Sequence, residues 1–285
     1  AESGISIRSV LQEAEANGWE RPAGIEGAPA AAEDFPVLDA APQLTATAPR
    51  GPLLRRVGDM LREPPQLQWL VSGRIEHPTV VQIFGDPSAG KSFVALDLAA
   101  SIAMGIPWHS QRVMQGPVVY IAGEGHAGLQ RRLKGWEIAR EAPLGDSPLH
   151  ISSRSVEFAR TGMVAELRGE IDALDNQPVL IVIDTLAKAT AGMDENSTKD
   201  MGAFMAEVER LAHRYTCSVL LVHHTGHGNK ERARGASSIH GAIDVAMRVE
   251  KRHNVHELNC VKMKDGEPFA PEYFELEQVD LPAEW

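Results

Sequence analysis

The sequence predicts an α/β fold: a mostly parallel sheet flanked by helices, with antiparallel strands added at the C-terminal end. Apolar runs of strand length at residues 80–84, 118–122, 179–183 and 218–222 alternate with helical patterns over 91–104, 129–140, 164–173 and 201–215. The runs are continuously apolar rather than alternating, which marks strands buried on both faces, as parallel strands between helices are. After Ile243 the segments 244–250, 257–263 and 273–277 follow too closely for helices between them, so they are expected to extend the sheet antiparallel.

The elements follow from local signals. The run at 80–84 opens into the loop that starts at Gly85, and the apolar stretch from Phe93 ends at Gly105 and Pro107, which cannot continue a helix. Towards the N-terminus, Ile7, Val10, Leu11 and Ala14 share one helical face and Gly18 ends it, so a short helix is expected within residues 1–21. Residues 22–51 are rich in Ala and Pro with little to bury, and Leu53, Leu54, Val57, Met60 and Leu61 form an amphipathic stretch closed by Pro64 and Pro65. Residues 22–65 thus read as linker plus amphipathic helix, and the compact domain as 66–285.

A chain of 285 residues that is 43% hydrophobic has ample material for a core. Its formal net charge of −11 argues against charge-driven coating of nucleic acid and confines any polyanion site to a local patch. The two cysteines, Cys217 and Cys260, have no metal-binding spacing and sit in apolar runs, as buried reduced thiols do. The first residues lack a basic-then-apolar leader and no run approaches the length of a membrane span, so a cytoplasmic setting without membrane contact is expected.

The chemistry starts at the phosphate loop Gly85-Asp86-Pro87-Ser88-Ala89-Gly90-Lys91-Ser92, a complete GxxxxGKS pattern between a strand and a helix that begins Lys91-Ser92-Phe93. Gly85 and Gly90 let the backbone wrap so that successive N–H groups face phosphate oxygens at the positive end of that helix. Lys91 adds a cation for the outer phosphates and Ser92 offers a hydroxyl to Mg²⁺, so the implied ligands are ATP or another triphosphate with Mg²⁺. Asp184 ends a second strand and is the expected partner of Ser92 at the metal, the alternative being a helix cap. Glu124, between Gly123 and Gly125 at a third strand end, is the candidate to position or activate water, against a solvated turn.

His223 and His224 end a fourth strand at the same edge. They read as a sensor of the outer phosphate, as structural residues or, least well supported by spacing, as metal ligands. The segment 226–238, carrying Lys230, Arg232, Arg234 and Gly235, is basic and glycine-rich in an acidic chain. It is the candidate contact for a phosphodiester backbone, with a solvated loop as the alternative. Beyond Asp184, Lys188, Asp194, Glu195, Asn196 and Lys199 make a second polar loop of mixed charge.

In order along the chain, the phosphate loop, Glu124, Asp184, His223-His224, Arg234-Gly235-Ala236-Ser237-Ser238 and Lys262-Met263-Lys264-Asp265-Gly266-Glu267 resemble the RecA-like superfamily. Within it the resemblance is to plasmid and phage ATPases of the RepA type, related to DnaB-type replicative helicases. It implies a RecA-like P-loop NTPase core, a ring that is usually a hexamer, nucleotide sites at subunit boundaries, and basic loops lining a channel for single-stranded DNA. It also implies trans-acting fingers, a lysine and an arginine in related helicases, whose matching positions here are Lys262 and Lys264, with Arg248, Lys251 and Arg252 as fallbacks; this departs from an arginine finger, since lysine lacks the planar fork.

No zinc-binding primase module or large helical collar is evident. The expected activity is that of a Mg²⁺-dependent ATPase and replicative helicase, with replication proteins as further partners. Its rivals are a single-strand recombination or annealing ATPase and a nucleotide-gated assembly protein.

Overall fold

A computed structural model describes residues 3–9, 54–62, 66–123, 125–225 and 237–283, with side chains described throughout except at 3–9, 237 and 238. The elements, in chain order, are β1 (Ser3–Ser9), α1 (Val57–Arg62), β2 (Trp69–Val71), β3 (Ile75–Glu76), β4 (Val80–Gly85), α2 (Lys91–Met104), β5 (Val118–Ala122), α3 (His126–Arg140) and β6 (Leu149–Ile151). They continue with α4 (Thr161–Asp172), β7 (Leu180–Asp184), α5 (Leu186–Ala189), α6 (Thr198–Tyr215), β8 (Ser218–His224), α7 (Ser237–Ala242), β9 (Val245–Arg252), β10 (Val255–Met263) and β11 (Glu272–Asp280).

Nine strands form one sheet in the order β1-β11-β10-β9-β4-β8-β7-β5-β6, and β2 with β3 makes a separate hairpin. Strands β9, β4, β8, β7, β5 and β6 are mutually parallel, while β10, β11 and β1 pair antiparallel. Successive residues of the central strands feed opposite cores. Val81, Ile83, Tyr120, Val182 and Val222 pack with α2 and Leu129 of α3 on one face. Val80, Phe84, Ile121, Ile183 and Leu221 pack with α4 and α6 on the other. Burial on both faces is why these runs read as continuously apolar.

Three expectations need correction. The segment beginning at 244 does not pair antiparallel with the core: β9 runs parallel to β4, with Val81 opposite Val245, because α7 first carries the chain back to the edge where β4 begins. Antiparallel pairing starts one strand later, at β10.

The short helix expected to include Ile7 is instead strand over Ser3–Ser9, in register with Phe274 through Asp280 of β11; residues 10–21 lie outside the described ones. Ile5 and Ile7 alternate with Ser6 and Arg8, a period-two signal that outweighs the weaker helical one.

The amphipathic stretch does become α1, but it has no buried residue: Leu54, Val57, Met60 and Leu61 are exposed. Three helices, α3, α4 and α6, begin earlier than expected. Gly125, left-handed at φ 71, caps α3, and Ser197 Oγ accepts the Asp200 N–H at 3.2 Å to start α6. Among the described residues no helix is long and apolar enough to cross a membrane.

Candidate nucleotide site

In an open parallel sheet the strands deliver their last residues to one edge, and there the strand ends meet the N-termini of the following helices. Gly85, Asp184 and His224 all arrive at that edge: Gly85 lies opposite His224, and Ala122 opposite Asp184.

The phosphate loop turns because Ser88 and Gly90 are left-handed, at φ 62 and 94. Alternating hands in this way brings successive backbone N–H groups into one anion-binding concavity. Its two glycines are also demanded from outside: a Cβ on Gly85 would lie 2.2 Å from the Val249 carbonyl oxygen of β9, and one on Gly90 would lie 3.2 Å from His256 Nδ1 of β10.

Lys91 is buried, and its ammonium donates to the Asp86 carbonyl at 2.8 Å. Burial lowers its pKa, while the carboxylates of Asp184 and Asp86 pull it back up. Ser92 Oγ donates to Asp184 Oδ1 at 3.1 Å, and Tyr120 Oη donates to Asp184 Oδ2 at 2.6 Å.

Burial raises the Asp184 carboxyl above its usual range, opposed by those two hydrogen bonds and by Arg132 and Lys91. The Tyr120 phenol is pushed well above its usual value by burial and by the Asp184 charge. The Arg132 guanidinium lies 4.6 Å from the centre of the Phe93 ring. A buried carboxylate, a hydroxyl and an ammonium beside an amide concavity suit a triphosphate and a hard cation that keeps most of its own water. Lys91, the loop amides, Ser92 and Asp184 would hold them.

The other sequence candidates divide. Glu124 lies outside the described residues, but its neighbour Gly123 donates its N–H to the Asp184 carbonyl at 2.5 Å, so the chain leading into Glu124 is anchored at this edge. A Cβ on Gly123 would meet Lys188 Cβ at 2.6 Å. His223 is buried with Nδ1 3.4 Å from Gln82 Nε2, whereas His224 is the last residue of β8, beside the loop. Among the described residues no three His, Cys, Asp or Glu side chains converge on a metal position.

Lys230, Arg232 and Arg234 lie outside the described residues. Lys264 does not join the rest. Its ammonium reaches Asp244 Oδ1 at 3.1 Å, and Asp244 Oδ2 accepts the N–H of Val80, the first residue of β4, at 3.0 Å. That is the edge opposite the phosphate loop, so Lys264 lies away from the phosphate loop of its own chain. The Asp244 carboxylate raises the Lys264 pKa. Lys262 Nζ donates to the His240 and Ile243 carbonyls at 2.8 and 2.6 Å, closing the C-terminal end of α7. Arg248 lies opposite Phe84, pairing with Glu250 at 3.3 Å, and Arg252 pairs with Glu257 at 3.1 Å.

Sequence reasoning missed Tyr120, Arg132 and Thr225. Thr225 Oγ1 donates to Asp86 Oδ1 at 2.5 Å and its N–H to the Gly85 carbonyl at 3.2 Å, tying the end of β8 to the phosphate loop. The available signal was its position directly after His224 in a run of polar residues at a strand end.

The family model for the AAA domain matches residues 47–230, more than half of the chain. No curated protein gives a significant match. The match spans the phosphate loop, the Asp184 strand and the His224 strand, and with the geometry above it places this chain in the AAA domain family, as a P-loop ATPase-type domain.

Proposed function

We propose that the protein is a Mg²⁺-dependent ATPase that works as a homo-oligomeric ring, a hexamer by resemblance, on single-stranded DNA, as a replicative helicase of phage or plasmid type. The observation that carries the DNA-coupled reading is the Thr225–Asp86 hydrogen bond. In the sequence the basic segment bearing Lys230, Arg232 and Arg234 follows directly on Thr225, which is bonded to the phosphate loop, and this supports a link between the loop and that segment.

In this reading Lys91 and the loop amides bind the outer phosphates, Ser92 and Asp184 hold Mg²⁺, and Glu124 positions the attacking water. Mg²⁺ held there would neutralise charge on the phosphates while the terminal phosphoryl group is transferred to water and the diphosphate leaves. Lys264, lying at the far edge, acts only if it reaches the site of a neighbouring subunit.

The test is steady-state ATP hydrolysis with and without single-stranded DNA, at low and moderate salt, with Lys91→Ala and Glu124→Gln. Strong, salt-sensitive stimulation is expected, with Lys91→Ala inactive and Glu124→Gln binding ATP without turnover. Lys91-dependent turnover that ignores DNA rejects the motor in favour of a nucleotide-gated assembly protein.

A further inference from the structure

His256 is outside the region the family model matches, on the antiparallel part of the sheet, yet it touches the phosphate loop. It is 2% exposed, and Nδ1 lies 2.9 Å from the Ala89 carbonyl oxygen. Its ring stacks on that of the fully buried Phe274, with centroids 5.1 Å apart and planes within 15°.

A carbonyl only accepts, so this contact requires the proton on Nδ1. The Ala89 carbonyl and the Gly90 N–H belong to one planar trans peptide, and in such a peptide the two bonds point in opposite directions. Holding the carbonyl towards β10 therefore turns the Gly90 N–H away from β10, towards the concavity of the loop. The left-handed Gly90 places its α-carbon against the same imidazole, where even a methyl group would sit 3.2 Å from Nδ1.

We infer that His256 is a positioning residue of the nucleotide site: its Nδ1–H fixes the Ala89–Gly90 peptide so that the Gly90 amide is aimed at phosphate before ligand arrives. The inference rests on the ATP-binding reading above. Preorganised donors bind an anion without reorientation, so loss of this hydrogen bond appears in nucleotide affinity rather than in the fold. Burial lowers the pKa of the ring against the Ala89 bond, which raises it, and in the neutral ring that bond holds the proton on Nδ1.

The experiment compares binding of a fluorescent ATP analogue with Mg²⁺ to wild type, His256→Phe and His256→Asn. Phe keeps an aromatic ring over Phe274 without the donor, and affinity is expected to fall about tenfold, as for loss of one hydrogen bond. Asn places an amide N–H where Nδ1–H was, and its affinity is expected within about threefold of wild type. Equal affinity of wild type and His256→Phe overturns the inference, and so does equal loss in both variants, which would assign the effect to packing.

Should His256→Phe fail to fold, the imidazole nitrogen spectrum of ¹⁵N-labelled wild type decides, with the His256 signal identified by its absence from His256→Asn. An Nδ1–H tautomer is expected, and an Nε2–H tautomer overturns the proposal. Wild type that binds no nucleotide instead sinks the ATP-binding reading, while the tautomer still tests the His256–Ala89 contact.

Discussion

Asp184 shows how much of this site is set by single atoms. Both of its carboxylate oxygens accept hydrogen bonds, from Ser92 on one side and Tyr120 on the other, so a cation placed there as proposed would share the carboxylate with both. Thr225 performs the complementary task with one hydroxyl on Asp86. Thr225→Val keeps the shape and removes the donor, at a stability cost of about 1 kcal/mol. Basal ATP turnover is expected to survive in Thr225→Val while its stimulation by single-stranded DNA drops several-fold; stimulation equal to wild type rules out this hydroxyl as the link. At this scale the sequence revealed the groups that recur in a fixed local pattern, Lys91, Ser92 and Asp184. It did not reveal Tyr120 or Thr225, whose partners are 64 and 139 residues away and are met only through strand register.

Among the elements, β9 and β10 do more than widen the sheet, since together they form the wall against which the phosphate loop is folded. Gly85 has to be glycine because the Val249 carbonyl, a backbone group that no rotamer change can move, occupies the place of its side chain. Gly85→Ala is expected to destabilise the protein by about 1–3 kcal/mol or more, as overpacking against fixed atoms does. By contrast Gly169 lies inside α4, where an added methyl would meet nothing within 4 Å, and its substitution by Ala should gain about 0.5–1 kcal/mol. Thermal melting of both variants checks the pair, and a Gly85→Ala protein as stable as wild type would disprove the backbone clash. The loop motif announces glycine at both ends of the loop, but only the packing of β9 shows why the first tolerates no Cβ.

For the molecule as a whole, several histidines are folded into the structure as neutral rings. Burial lowers the pKa of His77, His109 and His256, opposed in turn by a backbone bond to Thr216, the charge of Asp97, and the bond to Ala89. The sign follows from proton counts. Near and below about pH 6.5 the unfolded chain takes up protons that these folded rings refuse, so their contribution is fully present above that value and lost as the pH falls. Asp184 and Glu272, raised by burial, act in the opposite sense. The contribution of one ring is isolated by His109→Gln, which should narrow the loss of Tm between about pH 7.5 and 6 relative to wild type. An unchanged loss would show that His109 titrates normally.

The sequence by itself determined the parallel core, the phosphate loop and the strand-end carboxylate, because each is written in contiguous residues: an apolar run, a glycine spacing, a polar residue where the run stops. Tertiary structure alone decided that residues 3–9 pair with β11, that β9 joins the core in parallel, that Lys264 sits at the edge opposite its own phosphate loop, and that His256 braces Ala89 across 167 residues of chain. Those outcomes depend on which strand lies beside which and in what register. That is fixed by the packing of the whole sheet and leaves no signature in any local window of sequence.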